Sequence, residues 1–95
     1  MAATIYTGSM LARDPEVLEA RIGDSCVLFH PGAGIYCDLD GSGTYIWNLL
    51  AEPRLFDDLL GSLADHYAVD ARTCAQDTLG FLNALVEKNF LAVQS

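Results

Sequence analysis

The sequence predicts an α+β domain, a three-stranded antiparallel β-meander followed by three helices. In the first half, short apolar runs are cut by Gly-Asp and Pro-Gly-Ala-Gly turns. In the second half, apolar residues recur at spacings of three and four. Composition adds a third observation. Of the 95 residues, 52% are hydrophobic, which excludes a disordered chain, and a chain this short buries one core rather than two. The expectation is a single domain over residues 1–95, with its core from about 11 to 93.

Each element has a local reason. Glu16-Val17-Leu18-Glu19-Ala20-Arg21-Ile22 alternates as a strand and stops at the turn pair Gly23-Asp24. Ser25 to His30 follows as a second strand, and after Pro31-Gly32-Ala33-Gly34 the run Ile35-Tyr36-Cys37-Asp38-Leu39 makes a third. A loop of those four residues sets His30 opposite Ile35 and Leu28 opposite Cys37. Cys26, Leu28, Ile35, Cys37 and Leu39 then share the core face, while Val27, Phe29, Tyr36 and Asp38 fall on the other. Asp40 or Ser42 caps a helix over Thr44 to Leu50, which Glu52-Pro53 stops; Trp47 within it is expected as a core anchor. A second helix from Leu55 to Tyr67 carries Leu55, Leu59, Leu60, Leu63 and Tyr67 as its apolar stripe. After Val69-Asp70 the longest helix runs from Ala71 to about Lys88, with Ala75, Leu79, Leu82, Leu85 and Val86 toward the core. A second flank of that helix, Cys74, Asp77, Thr78, Phe81, Leu85 and Lys88, is more apolar than a solvated face requires. Asn89 suits a left-handed cap, and Phe90 to Val93 a tail packed back on the core.

Charge and chemistry narrow the function. Thirteen acidic against five basic side chains give a net charge of −8, which opposes nucleic acid and anionic membranes alike. No apolar run approaches the ~20 residues of a membrane span, and three cysteines without a disulfide framework suit a reducing compartment, so a cytoplasmic protein is expected. Gly23-Asp24-Ser25 has the start of a hydrolase signature, yet His30 lies on the same strand and cannot reach Ser25 as a base. Cys26 and His30 stand roughly 13 Å apart along an extended strand, too far to share a metal ion. Gly41-Ser42-Gly43 has no lysine after it to form a phosphate loop. No catalytic, metal or cofactor site is expected, and the protein is not expected to be an enzyme.

The order of segments carries a resemblance. Val27-Leu28-Phe29, then Gly34 to Asp40, then Gly43-Thr44-Tyr45-Ile46-Trp47-Asn48-Leu49-Leu50, then Leu63 to Val69, and finally Asp77 with Phe81-Leu82-Asn83-Ala84-Leu85 and Asn89-Phe90-Leu91, resemble the PqqD-like family. These are the recognition elements of ribosomally made, post-translationally modified peptide (RiPP) pathways. The likeness runs from about Leu11 to Val93, and Tyr36 to Leu50 is its most distinctive part. Asp40 departs from the asparagine many relatives carry there.

The resemblance implies a winged helix-turn-helix-like packing of the sheet on the helices, and a non-catalytic module that binds the leader of a precursor peptide as an added strand. That strand would lie on the open edge of the third strand, against the last helix. An open edge at Ile35, Tyr36, Cys37, Asp38 and Leu39 agrees with this. Cys74, Asp77, Thr78, Phe81 and Leu85 would form the other wall, with Asp77 and Asp38 meeting basic leader residues. The implied partners are the leader peptide and a maturation enzyme. For the lasso-peptide type, which the Tyr36 to Gly43 and Ile46-Trp47 runs favour, that enzyme is a separate leader peptidase; for the PQQ pathway it is a radical enzyme. A winged-helix transcription regulator is the alternative of another class, opposed by Asp77 and Glu87 on the helix that would read DNA. A small thiol enzyme using Cys37 or Cys74 is a third, and it lacks a histidine base. A monomer is expected, and an open edge allows a dimer by sheet extension.

Overall fold

The computed structural model describes residues 5, 8–67 and 70–94. The chain runs β1 (Met10–Arg13), β2 (Leu18–Ile22), β3 (Ser25–His30), β4 (Ile35–Leu39), α1 (Gly41–Leu49), β5 (Arg54–Leu55), α2 (Phe56–Tyr67), α3 (Ala71–Glu87) and β6 (Leu91–Gln94). The predicted α+β class and three helices are present. β2, β3 and β4 form the antiparallel meander in that order. Its register is the one the four-residue loop dictates, with Cys26 opposite Leu39, Leu28 opposite Cys37 and His30 opposite Ile35. The alternation then follows from the pleat: Cys26, Leu28, His30 and Leu39 are buried, whereas Tyr36 and Asp38 are exposed. The first strand begins at Leu18 rather than Glu16, because Val17 N–H turns back to the Asp14 carbonyl.

A second sheet lies outside the sequence expectation. β1 pairs antiparallel with β5 on one side and with β6 on the other. The expected tail at Phe90 to Val93 is therefore a strand, matched rung by rung from Met10–Gln94 to Arg13–Leu91. Leu55, expected on the stripe of the second helix, belongs to β5 instead and stays partly exposed.

The helices pack over both sheets. Asp40 caps α1, accepting from Gly43 N–H at 2.8 Å, and so starts the helix three residues before the expected Thr44. Asp70 caps α3 in the same way through Thr73 N–H. The break expected at Val69 lies outside the described residues. Asn89 takes φ 67°, the left-handed conformation that ends α3 and turns Phe90 into the core. Trp47, Phe90, Leu11, Leu28, Leu59, Leu63, Leu82 and Leu85 are fully buried together. Trp47 is also held from outside. The Arg13 guanidinium lies 4.3 Å above its ring, and Glu19 accepts from its indole N–H, so β1, β2 and α1 meet at one side chain. No helix among the described residues is long and apolar enough to cross a membrane.

Candidate functional site

Because β4 is the edge of the meander, its outer N–H and C=O groups have no strand partner among the described residues. Beside the end of β4, where the chain turns into α1, a groove of about 880 Å³ opens between the sheet and α3. Asp38 and Leu39 of β4, with Ser25, Cys26 and Val27 of β3, form the sheet wall. Cys74, Asp77, Thr78 and Phe81 form the helical wall. Asp40, Ser42, Gly43 and Ile46 make the floor at the start of α1, and Leu63 and Tyr67 close the end toward α2.

Local structure explains why these side chains meet. Cys74, Asp77, Thr78 and Phe81 recur at three and four on α3 and hence lie on one flank. Cys74 Sγ and Thr78 Oγ1 stand 3.9 Å apart, both buried, as one weakly polar pair in a base that Leu39, Ile46, Leu63 and Phe81 otherwise keep apolar. Asp38 and Asp77 are exposed and have no cationic partner among the described residues. The groove is thus apolar at its base and acidic at its rim. Asp40 adds a third carboxylate, held below the usual carboxylate range by the backbone N–H of Gly43 and then by the Ser42 hydroxyl. Burial pushes the Tyr67 phenol up, with Tyr45 and Asp40 adding to the effect. Tyr45 stacks on His66 at 3.9 Å and meets Tyr67 edge-on, so an aromatic cluster borders that end of the groove.

Of the ten residues expected to bind a leader, Asp38, Leu39, Cys74, Asp77, Thr78 and Phe81 come together in the groove. Ile35, Tyr36 and Cys37 lie farther along β4 and off the groove; they present the open backbone edge. Leu85 is fully buried in the core, one turn beyond Phe81, and does not line the groove. The α1 floor and Tyr67 were missed by sequence reasoning. Their only signals are a Gly-Ser-Gly run after a cap and a tyrosine four residues after Leu63.

A second cluster was also missed. Asp14, Glu16 and His30 gather within 4.8 Å of one another. The His30 Nδ1 accepts from Ala33 N–H at 3.1 Å, which leaves the ring hydrogen on Nε2, facing Asp14 at 3.3 Å and Glu16 at 3.7 Å. That is a donor set against two acceptors, not three lone pairs converging on an ion.

The family model for coenzyme PQQ synthesis protein D (PqqD) matches residues 25–91. The chain belongs to the PqqD family. The matched segment runs from β3 to the start of β6 and contains every residue that lines the groove. The fold is also similar to a solved structure, TbiB1 in complex with the TbiA(beta) leader peptide. The TM-score is 0.78 and the sequence identity 35%, over 84% of this chain and 93% of that one. No curated protein matches the sequence. As a PqqD-family chain, it places the family's matched region on the two walls and floor just described.

Proposed function

We propose that this PqqD-family domain recognises the leader segment of a ribosomally synthesised precursor peptide and presents it to a maturation enzyme, without chemistry of its own. The observation that carries the reading is the adjacency of an open strand edge and an apolar groove with an acidic rim. An extended peptide added to β4 satisfies the edge N–H and C=O groups, and its alternate side chains drop toward Leu39 and Phe81. Asp38 and Asp77 then face basic leader residues at the rim. The likeness to TbiB1, whose structure holds a leader peptide, supports leader recognition by this fold.

Function follows from tethering. Holding the leader raises the effective concentration of the attached core peptide at the enzyme, and no bond is made or broken in the groove. The lasso-type reading, with a leader peptidase as partner, rests on the Tyr36 to Gly43 and Ile46-Trp47 runs. The description of the matched family, coenzyme PQQ synthesis, favours a second reading in the PQQ pathway, where the resemblance implies a radical enzyme as the partner. The test is fluorescence anisotropy of a labelled synthetic leader from the short reading frame beside the gene, titrated with purified protein and compared with a scrambled peptide. Saturable binding of the authentic peptide alone supports the proposal. Equal binding of both peptides, or of neither with the partner enzyme also present, sinks it.

A further inference from the structure

The other edge of the meander carries a self-complementary pattern. β2 reads Leu18-Glu19-Ala20-Arg21-Ile22: apolar, acid, small, base, apolar. All five residues are exposed, Leu18 at 59% and Ile22 at 66%, and among the described residues nothing pairs with the outer side of the strand. We infer that β2 is an interface for a second copy of this chain, the two strands pairing antiparallel about a two-fold axis at Ala20.

The register follows from charge. Centred on Ala20, the pairing sets Glu19 opposite the second copy's Arg21, Arg21 opposite its Glu19, and Leu18 and Ile22 opposite each other. Each is a favourable cross-strand pair, and the contact is isologous, as a closed dimer requires. Centring on Glu19 or Arg21 instead puts like charges face to face. The backbone agrees. In a hairpin closed by the two-residue turn Gly23-Asp24, Ile22 and Ser25 form a hydrogen-bonded pair, and by alternation so do Ala20–Val27 and Leu18–Phe29. The N–H and C=O groups of Glu19 and Arg21 therefore point to the open edge, where they can bond their opposite numbers in the second copy.

Side chains are already set for it. Arg21 Nη2 lies 2.6 Å from its own Glu19, so pairing extends this contact into a square of four charges of alternating sign. On the outer face, Leu18 stands opposite Phe29, which packs on Tyr36 at 4.5 Å, so the apolar surface continues across the sheet. The chain as a whole carries −8, but β2 itself is neutral, so the strands meet where repulsion is least. The interface is small, which makes the dimer weak and concentration-dependent. It leaves β4 open at the far edge of a six-stranded sheet.

Sedimentation equilibrium up to about 1 mM protein tests the proposal. Wild type shows a monomer–dimer equilibrium, and Arg21→Glu, which sets acid against acid, stays monomeric with an unchanged circular dichroism spectrum. Oxidised Ala20→Cys forms a disulfide-linked dimer through residue 20, identified by peptide mass, whereas Ile22→Cys, off the axis, does not. A wild type that remains monomeric throughout, an Arg21→Glu variant that dimerises as well as wild type, or equal cross-linking at positions 20 and 22 overturns it.

Discussion

A β-carbon added to Gly43 would stand 3.3 Å from two ring carbons of Phe81. The first turn of α1 and the flank of α3 thus touch through a position that has no side chain, and the ring takes its place in the groove from that contact. Gly43→Ala sets two effects against each other. Alanine favours a helix over glycine by about 1 kcal/mol, while the ring must give by a few tenths of an ångström. Thermal unfolding should show stability within about 1 kcal/mol of wild type. Leader affinity should fall several-fold, because the displaced ring narrows the groove. An unchanged affinity would separate Phe81 from binding.

Phe81→Ala removes the largest apolar side chain of the helical wall. Anisotropy titration should show leader binding weakened by about tenfold or more. Since Phe81 is only half-buried, the fold should survive, as a retained cooperative melt would verify.

The acidic rim makes a separate prediction. Asp77→Lys should weaken binding of a leader that carries basic residues and flatten its dependence on salt, because an exposed carboxylate acts through screened attraction. Identical affinities at low and at physiological ionic strength for wild type would remove Asp77 from recognition.

Glu19 ties pH to stability. Burial alone would raise its carboxyl, but the hydrogen bond and charge of Arg21, the Trp47 indole and Arg13 outweigh burial and hold it below the usual range. A depressed carboxylate contributes stability in full above its unfolded value and loses that contribution as pH falls through its folded value. Urea denaturation from neutral to acid pH should therefore show stability declining, with part of the decline absent in Glu19→Gln. At neutral pH that variant should be less stable by about 1–2 kcal/mol.

Asn89 gives the simplest backbone test. At φ 67°, alanine pays the left-handed penalty of about 1–2 kcal/mol, whereas glycine does not. Asn89→Ala should lower the unfolding midpoint and Asn89→Gly should leave it nearly unchanged.

The meander was legible because its signals are local. Turn residues at 23–24 and 31–34 fix the register, and the period of two fixes the faces. The second sheet was not, since β1, β5 and β6 are short and none alternates long enough to announce itself; only the tertiary pairing of Met10–Arg13 with both partners makes them strands. At the candidate site, the α3 flank was legible from spacing alone. Leu85 was misplaced because it belongs to both flanks of that helix, and the core takes it. The floor at Ser42 and Gly43 was hidden because a glycine gives no apolar signal, and it matters here for the space it leaves.

The pairing of β1 with β6 also decides how the domain yields to force. Met10 and Gln94 share a rung, so the two ends of the described fold leave the ladder side by side. Hydrogen bonds run across the strands, and a pull on these ends loads them one rung at a time instead of in parallel. A pulling motor would peel β6 from β1 with little resistance, drawing Phe90 out of the core before the β2–β3–β4 meander feels any load.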